Sequence, residues 1–584
     1  MLYAQSLAST RSGAAYNAFS YPTKISAESV ALFLACQTHP GDVVLDAFGG
    51  SGTTGIAALL CDKPTEWMKA SAARLSLNPI WGPRRAIIQD LSVIGSLVAE
   101  VLCNPIDPAR FESTCNEILK AATSEIGWMY ECKDADGASG TLRHGVWSEL
   151  LVCSACGAVI PYWDAAARVP PARFLQDFAC AKCGCDAPIN SCARLEATFD
   201  DHLLGTAVTQ RSRVLSHVYG ETDGRTWRRP ASSHDIELAS RIASEPAPRN
   251  APVARVLLRD LYRAGYHTGI THLHHFYTPR NFRAICKLME LADLAPVDLR
   301  NAIKAWVLSY NASHATLMSR IVAKTGLPDF VVTGAQSGVL YVSALPVEKN
   351  PLRGLRRKAA DFVDAFSAVR GSRSVVKVYC GDSAKLDVPS ASVDYAFIDP
   401  PFGDYIPYSE INQINELWLP AQTRSELEAV ISQSQGKDVD VYAGALTAVL
   451  SEINRVLRPG AKMTLVFHSA KAAVWNALRR AIKRSGFRVI ATSLLDKTQS
   501  SFKQSQSKFS VQGDPLLLLE KGGVEADGES TGQVQKLLDQ LPMKGNGPLS
   551  QRWLYSKYVA ACMEENIDAK LSAKQFNELL ERQA

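Results

Sequence analysis

The sequence predicts an α/β fold, a mostly parallel Rossmann-like sheet interrupted by a long insertion and followed by a helical appendage. Three observations carry this reading. Short apolar strands that end in an acid recur along the chain, at Val43–Leu45 before Asp46, Ala86–Gln89 before Asp90, Ser374–Cys380 before Asp382 and Val393–Ile398 before Asp399. A glycine-rich turn leading into a helix follows the first of them. Between the second and third lies a long stretch of different character, with paired cysteines and then helical periodicity.

Composition sets the frame. With 584 residues the chain is long enough for several domains, and 47% hydrophobic against 21% charged residues is an ordinary globular balance. No apolar run approaches the roughly 20 residues needed to span a bilayer. The start, Met1–Ser6, lacks a basic segment followed by an apolar block, so a cytoplasmic location is expected and no membrane partner. Fourteen cysteines fit that compartment, because their only regular spacing is that of a metal site. A net charge of +5 is compatible with nucleic-acid binding without requiring it.

In chain order, Tyr21-Pro-Thr-Lys24 precedes an amphipathic helix, Glu28–Cys36, that leads into the first strand. The turn after that strand carries Gly49, Gly50 and Gly52, which let backbone approach a ligand while the helix behind presents free N–H groups. The turn lacks the Gly-Lys-Ser/Thr of a phosphate cradle, and Asp46 would repel a pyrophosphate. A cationic sulfonium cofactor, S-adenosylmethionine, suits the acid better than NAD or ATP. Residues 61–83, with three prolines, read as an inserted loop. Asp90 then stands where nucleotide-binding folds place an acceptor for ribose hydroxyls.

Cys153-x-x-Cys156 and Cys180-x-x-Cys183, each following an apolar segment and preceding a glycine, read as a zinc ribbon with four thiolates around one structural Zn²⁺, Cys185 or Cys192 being alternative ligands. From Ile236 to Ala323 helical spacing dominates, in Val253–Tyr266 and Phe282–Leu291 among others. His272, His274 and His275 sit close together between them, with no acid or cysteine nearby in sequence, so a substrate-facing loop is favoured over a metal. Arg353, Arg356, Arg357 and Lys358 form a basic cluster, either a solvated helix face or a phosphate contact.

The α/β pattern resumes at Ser374–Cys380, a strand ending at Gly381-Asp382. Asp399-Pro400-Pro401-Phe402 follows at the end of its strand. Such a motif suits transfer to a nucleobase amino group: Asp399 and the Pro400 carbonyl can accept hydrogen bonds from the amine, and Phe402 offers a face to a base taken out of its stack. A helix Leu446–Leu457, the turn Arg458-Pro-Gly460, a strand Lys462–His468 and a helix Ala472–Ser485 come next. Strands Phe487–Thr492 and Pro515–Glu520 read as an antiparallel hairpin ending the sheet, with the polar stretch Thr498–Ser510 between them as a loop. Residues 522–535 read as a linker, and Leu549–Gln583 as helical.

Taken together, Tyr21-Pro-x-Lys24, Leu45-Asp-Ala-Phe-Gly-Gly-Ser-Gly-Thr-Thr54, Asp90–Ala99, the cysteine pairs, Gly269–Asn281 and Asp399-Pro-Pro-Phe-Gly-Asp-Tyr-Ile-Pro-Tyr-Ser409 resemble the DNA amino-methyltransferases, and more closely a group of adenine-specific DNA methylases that carry a zinc ribbon. Ala47 departs from the proline usual at that place. The resemblance implies a site-specific enzyme that moves a methyl group from S-adenosylmethionine to N6 of a flipped adenine in double-stranded DNA, and restriction or phage-defence proteins as partners. It implies Asp399, Pro400, Pro401 and Phe402 as catalytic residues. Tyr21, Lys24, Asp46, Phe48, Gly50, Gly52, Asp90 and Asp382 would contact cofactor. The expected domains are 1–103 and 371–521 for the methyltransferase sheet, 104–230 for the ribbon insertion, 231–370 for a mainly helical target-recognition insertion, and 522–584 for linker and appendage. N4-cytosine methylation, RNA guanine-N2 methylation and an inert DNA-binding subunit are the rivals. Asp399 leans towards adenine, since N4-cytosine motifs more often begin with Ser.

Overall fold

The structure, a computed structural model, describes residue 3 and residues 7–9, 13–497, 514–522 and 548–583. The polar stretch Thr498–Ser510 and the linker beyond Gly522 lie outside the described residues. The chain divides into two units, one of residues 1–105, 364–409 and 422–584, the other of residues 106–363 and 410–421. Of the stretches 104–230 and 231–370, residues 106–363 lie in the second unit and residues 104–105 and 364–370 in the first.

The first unit is built on an eight-stranded sheet. Its strands are β1 (Leu7–Ser9), β2 (Val43–Asp46), β3 (Arg85–Asp90), β4 (Val375–Cys380), β5 (Val393–Ile398), β6 (Leu457–Val466), β7 (Phe487–Lys497) and β8 (Asp514–Lys521). Their order is β1-β7-β8-β6-β5-β2-β3-β4. Neighbours from β4 to β6 pair in parallel, and β8 runs antiparallel between β6 and β7. The β7–β8 pair does not end the sheet as expected, because β1 pairs in parallel with β7 and forms the edge. The expected turn Arg458–Gly460 is a bulge inside β6: between Val393 and Tyr395 of β5 the paired residue on β6 jumps from Leu457 to Lys462, and Gly460 takes a positive φ of 72°.

Strand order reverses between β2 and β5, so their carboxyl ends diverge into a crevice, the usual ligand position in such sheets. Both central strands are buried runs of Val, Leu, Ala, Phe and Ile, as a sheet covered on two faces requires. One core cluster joins them to the helices Val439–Val456 and Ala472–Arg484 through Tyr442, Leu446, Trp475 and Leu478. Tyr555, Tyr558 and Phe576 of the helices Pro548–Glu564 and Ala573–Gln583 belong to the same cluster. Residues 61–83 are more than a loop. Thr65 caps a helix, Glu66–Arg74, there.

Arg84, at the entrance to β3, is only 1% exposed. Its guanidinium donates to the carbonyls of Thr38, Ile80 and Gly82 and to the Thr38 hydroxyl, tying the chain before β2 to the chain before β3.

The second unit is richer in β-structure than its helical spacing implies. The long strand Ser139–Val152 pairs with Arg213–Thr222, Val347–Lys349, Glu131–Lys133, Val159–Pro161 and Ala193–Arg194, all antiparallel. Phe282–Leu291 lies in a helix, Pro279–Leu294, but Val253–Tyr266 is not helical. That segment is extended and irregular because other groups take its backbone donors: the Glu410 carboxylate accepts from the N–H groups of Arg259, Asp260 and Leu261, and Gln413 pairs with Leu257. Among the described residues no helix is long and apolar enough to cross a membrane.

Replacing Arg84 by Met takes the donor from three carbonyls, the buried one of Thr38 among them, so Arg84→Met is expected to lower stability by about 3 kcal/mol. Urea unfolding followed at the tryptophans checks it, and an unchanged midpoint would contradict the role given to Arg84.

Candidate active site

Because β2 to β5 run in parallel, their acids come out at one edge: Asp46 ends β2, Asp90 ends β3, Asp382 lies just beyond β4 and Asp399 just beyond β5. All four line one cavity of about 330 Å³, within the range of small-molecule sites. Tyr21, Lys24, Phe48 and Gly50 line it too, as does Pro401. Of the residues singled out in sequence, Gly52, Pro400 and Phe402 are not part of the lining.

The glycine turn is shaped by contact. A Cβ on Gly49 would stand 2.2 Å from Ile88 Cγ2, and one on Gly52, at φ +86°, would stand 2.9 Å from Ala99 Cα. Gly52 thus serves close packing of its helix, and Gly50 (φ +50°) lies at the cavity against the Tyr21 ring. Asp90 clamps the turn. Its carboxylate accepts from Gly50 N at 2.7 Å and from Ser92 N at 2.7 Å. Asp46 is 4% exposed and accepts from Phe48 N at 3.0 Å and Thr54 Oγ1 at 2.6 Å. Burial nevertheless pushes its carboxyl up to about 7, with the Asp90 charge adding to the rise. Asp382 accepts from Ala384 N, and Gln89 of β3 donates to its carbonyl. The Lys24 ammonium donates to the carbonyls of Ala15 and Phe19, which fastens the segment before the first long helix.

Around the second motif, the Tyr442 hydroxyl donates to the Pro401 carbonyl at 2.6 Å. The Pro400 carbonyl accepts no hydrogen bond from the described residues. Phe402 is 7% exposed and packs against Phe467 and His468, on the core side of the loop. Tyr408 and Glu428 are among the cavity groups that sequence reasoning missed. Tyr408 bonds Thr23 at 2.6 Å and lies beside the Tyr21 ring, and burial raises its hydroxyl pKa. Glu428 accepts from Ser409 N and Oγ, and burial raises its carboxyl. Tyr408 stands within the stretch that carries the family resemblance and could have been found there. No local pattern marks Glu428.

In the second unit, the sulfurs of Cys153, Cys156, Cys180 and Cys183 lie within 4.8 Å of one another. Cys153–Cys183 and Cys156–Cys180 are each separated by 3.8 Å, the spacing of two thiolates about 2.3 Å from a shared tetrahedral Zn²⁺. Gly157 and Gly184, both at positive φ, close two matching knuckles by donating to the carbonyls of Cys153 and Cys180. These four thiols could hold zinc. Cys185 lies 3.5 Å from Cys153 at the cluster's side, while the Cys192 thiol is directed to the Pro188 carbonyl.

The histidines expected to have no acid beside them have one from far along the chain. Asp201 accepts from His274 Nε2 and His275 Nε2, both at 2.8 Å. His275 Nδ1 accepts from the backbone of Thr271 and His272, so its proton sits on Nε2 and points at Asp201. Burial disfavours the Asp201 charge, yet the two imidazole bonds outweigh it and hold the carboxyl down to about 2. The trio fastens the hairpin Glu196–Arg211 to the histidine loop.

Residues 3–64 match the N6_N4_Mtase family model, described as DNA methylase. The matched segment contains Tyr21, Lys24, Asp46 and the glycine turn, and it supports a methyltransferase without separating N6 from N4 chemistry. No curated protein matches the chain. Similar solved structures include a SAM-dependent methyltransferase from Methanosarcina mazei, at 10% identity over 26% of this chain and 69% of that one with a TM-score of 0.15. The antibiotic-resistance methyltransferase Kmr has 17% identity over 29% of this chain and 72% of its own, TM-score 0.15. The [4+2]-cyclase SpnF has 12% identity over 26% and 58%, also at 0.15. Likeness at that score carries no weight, and the fold is read from strand order alone.

Purified under reducing conditions, the protein is expected to carry about one zinc per chain by elemental analysis, and Cys180→Ser close to none. A metal-free parent would exclude the zinc centre.

Proposed function

We propose that this chain transfers a methyl group from S-adenosylmethionine to the N6 amino group of adenine in DNA. One observation carries the reading: the glycine turn with Asp46 and Asp90, and Asp399 and Pro401 of the motif from far along the chain, line the same cavity at the switch point of the sheet. The family match over residues 3–64 supports the DNA methylase class. The acid at the head of the second motif, where N4-cytosine enzymes more often have Ser, supports adenine.

Asp46, Asp90, Asp382 and Gly50 would hold the cofactor, with Tyr21 and Lys24 at its methionine end. When bound, S-adenosylmethionine supplies a methyl group activated by a positively charged sulfur. The acids of the cavity favour that charge and disfavour a pyrophosphate. Asp399, which lines the cavity, would accept a hydrogen bond from the amino group of a flipped adenine, and Pro400, buried outside the lining, would hold it in place. The lone pair is thereby drawn out of ring conjugation and directed at the methyl carbon. A C–N bond forms as the C–S bond breaks, the electron pair stays on sulfur, and the amino proton leaves afterwards. Most of the acceleration comes from alignment, so no enzyme nucleophile is required. Phe402, packed on the core side, supports the loop from behind. A base would stack on Tyr408 or Tyr21, two of the rings that line the cavity.

Labelled S-adenosylmethionine with DNA and with RNA, followed by identification of the modified base, tests the reading. N6-methyladenine in DNA is expected. Asp399→Ala should lower the rate about 100-fold or more with cofactor affinity held. Label confined to RNA, or an Asp399→Ala variant as fast as the parent, would overturn it.

The raised Asp46 pKa adds a second outcome. Between the carboxyl's ordinary value of 3.8 and about 7 the folded cavity keeps the proton that the unfolded chain has lost, so stability falls as pH rises through that window. Cofactor affinity should rise through pH 7 as Asp46 ionises to meet a cationic ligand. Calorimetric titration at pH 6 and 8 checks this, and the pH dependence should vanish in Asp46→Asn.

A further inference from the structure

The second unit contains a cluster of cations that its own carboxylates do not neutralise. Lys349 ends the strand Val347–Lys349 and lies opposite His144 in the register with Ser139–Val152. Asn350 then caps the helix Pro351–Val369, accepting from the N–H groups of Leu352 and Arg353, and Arg356 and Arg357 follow on its early turns, both exposed. Cations there are disfavoured, because the helix dipole is positive at its start. Arg353 pairs with Glu221 and Lys358 with Asp361. Arg143, Lys349, Arg356 and Arg357 have no ion pair among the described residues.

The surroundings are built for an anion too. His144 stacks on Tyr219 at 4.3 Å and leaves its buried Nε2 without a hydrogen-bond partner among the described residues. His314 stacks on Tyr310 at 4.7 Å from a π-helical turn, Asn311–Ala315, a rare geometry that concentrates at functional sites. A Cβ on Gly354 would overlap the Tyr310 ring at 2.0 Å, so the helix start is pressed onto that stack. Burial and the neighbouring cations keep both histidines neutral, pushing each down to about 3, and burial with Arg357 pushes Lys349 down to about 8. Such mutual repulsion is relieved when an anion enters.

We propose that Arg143, Lys349, Arg356 and Arg357, with His144 and His314 beside them, form a binding site for the phosphodiester groups of duplex DNA. This rests on the DNA reading above and adds to it a sequence-independent backbone contact, separate from the methyl-transfer cavity.

The test uses the full, zinc-loaded chain without cofactor and a labelled DNA duplex, read by fluorescence anisotropy over a salt series. Arg356→Gln/Arg357→Gln changes two exposed side chains and should fold. It is expected to weaken binding at least tenfold on every sequence, and to lower the slope of log affinity against log salt by about 2, near 0.9 per lost phosphate contact. Lys349→Met should act in the same direction. Parent affinity and slope in both variants would overturn the proposal. So would competition by millimolar inorganic phosphate that depends on these residues while DNA binding does not, since the site would then take a free anion. Methyl transfer is assayed separately. Arginine-dependent binding without transfer to DNA would sink the functional reading alone, and transfer to DNA with binding indifferent to the arginines would sink this inference alone.

Discussion

Parallel pairing of β2 between β3 and β5 is the constraint on which the candidate active site depends. It aligns the carboxyl ends of four strands, so that residues scattered from Asp46 to Asp399 face one space. No loop of this chain could do so alone. Once the strands are aligned, the Asp90 carboxylate holds the glycine turn through Gly50 N, and the turn in turn admits a helix packed tightly at Gly52. An antiparallel neighbour at either side of β2 would send one motif to the opposite edge.

The cavity's electrostatics follow from that convergence. Bringing Asp46, Asp90, Asp382 and Asp399 together, with Glu428 near Tyr408, is costly in a half-closed site. Backbone N–H groups meet part of the cost at Asp90 and Asp382. Buried Asp46 resolves the rest by keeping its proton up to about pH 7. A cationic ligand relieves the same repulsion, which is why acid clustering is an argument for a sulfonium cofactor rather than a flaw in the fold. The second unit shows the opposite case. Glu149, 1% exposed, neutralises part of the charge of Arg194, Arg211 and Arg213, whereas the cations near Lys349 are left to one another.

Some expectations gave way for physical reasons. The apolar spacing of Val253–Tyr266 suits a helix, but Glu410 and Gln413 claim the backbone groups that a helix would use. Phe402 is aromatic and adjacent to the motif, yet strand direction and the loop after Pro401 turn its ring to Phe467. The histidine loop gained its acid from Asp201, on a hairpin tip some seventy residues earlier, which spacing along the chain does not reveal.

By itself the sequence determined the alternation of strand and helix, the glycine turn, the strand-end acids and the cysteine pairs. These are local: each depends on side-chain periodicity, backbone freedom at glycine or ligand spacing over a few residues. Tertiary structure alone decided which strands are neighbours, and therefore that Asp399 and Pro401 share a cavity with Asp46 while Pro400 and Phe402 stay outside its lining. It also decided that Tyr408 and Glu428 enter that cavity, that β1 closes the sheet's far edge, and that Lys349 and Arg357 have no ion pair among the described residues. Those outcomes rest on contacts between residues far apart in the chain, whose pairing no local pattern encodes.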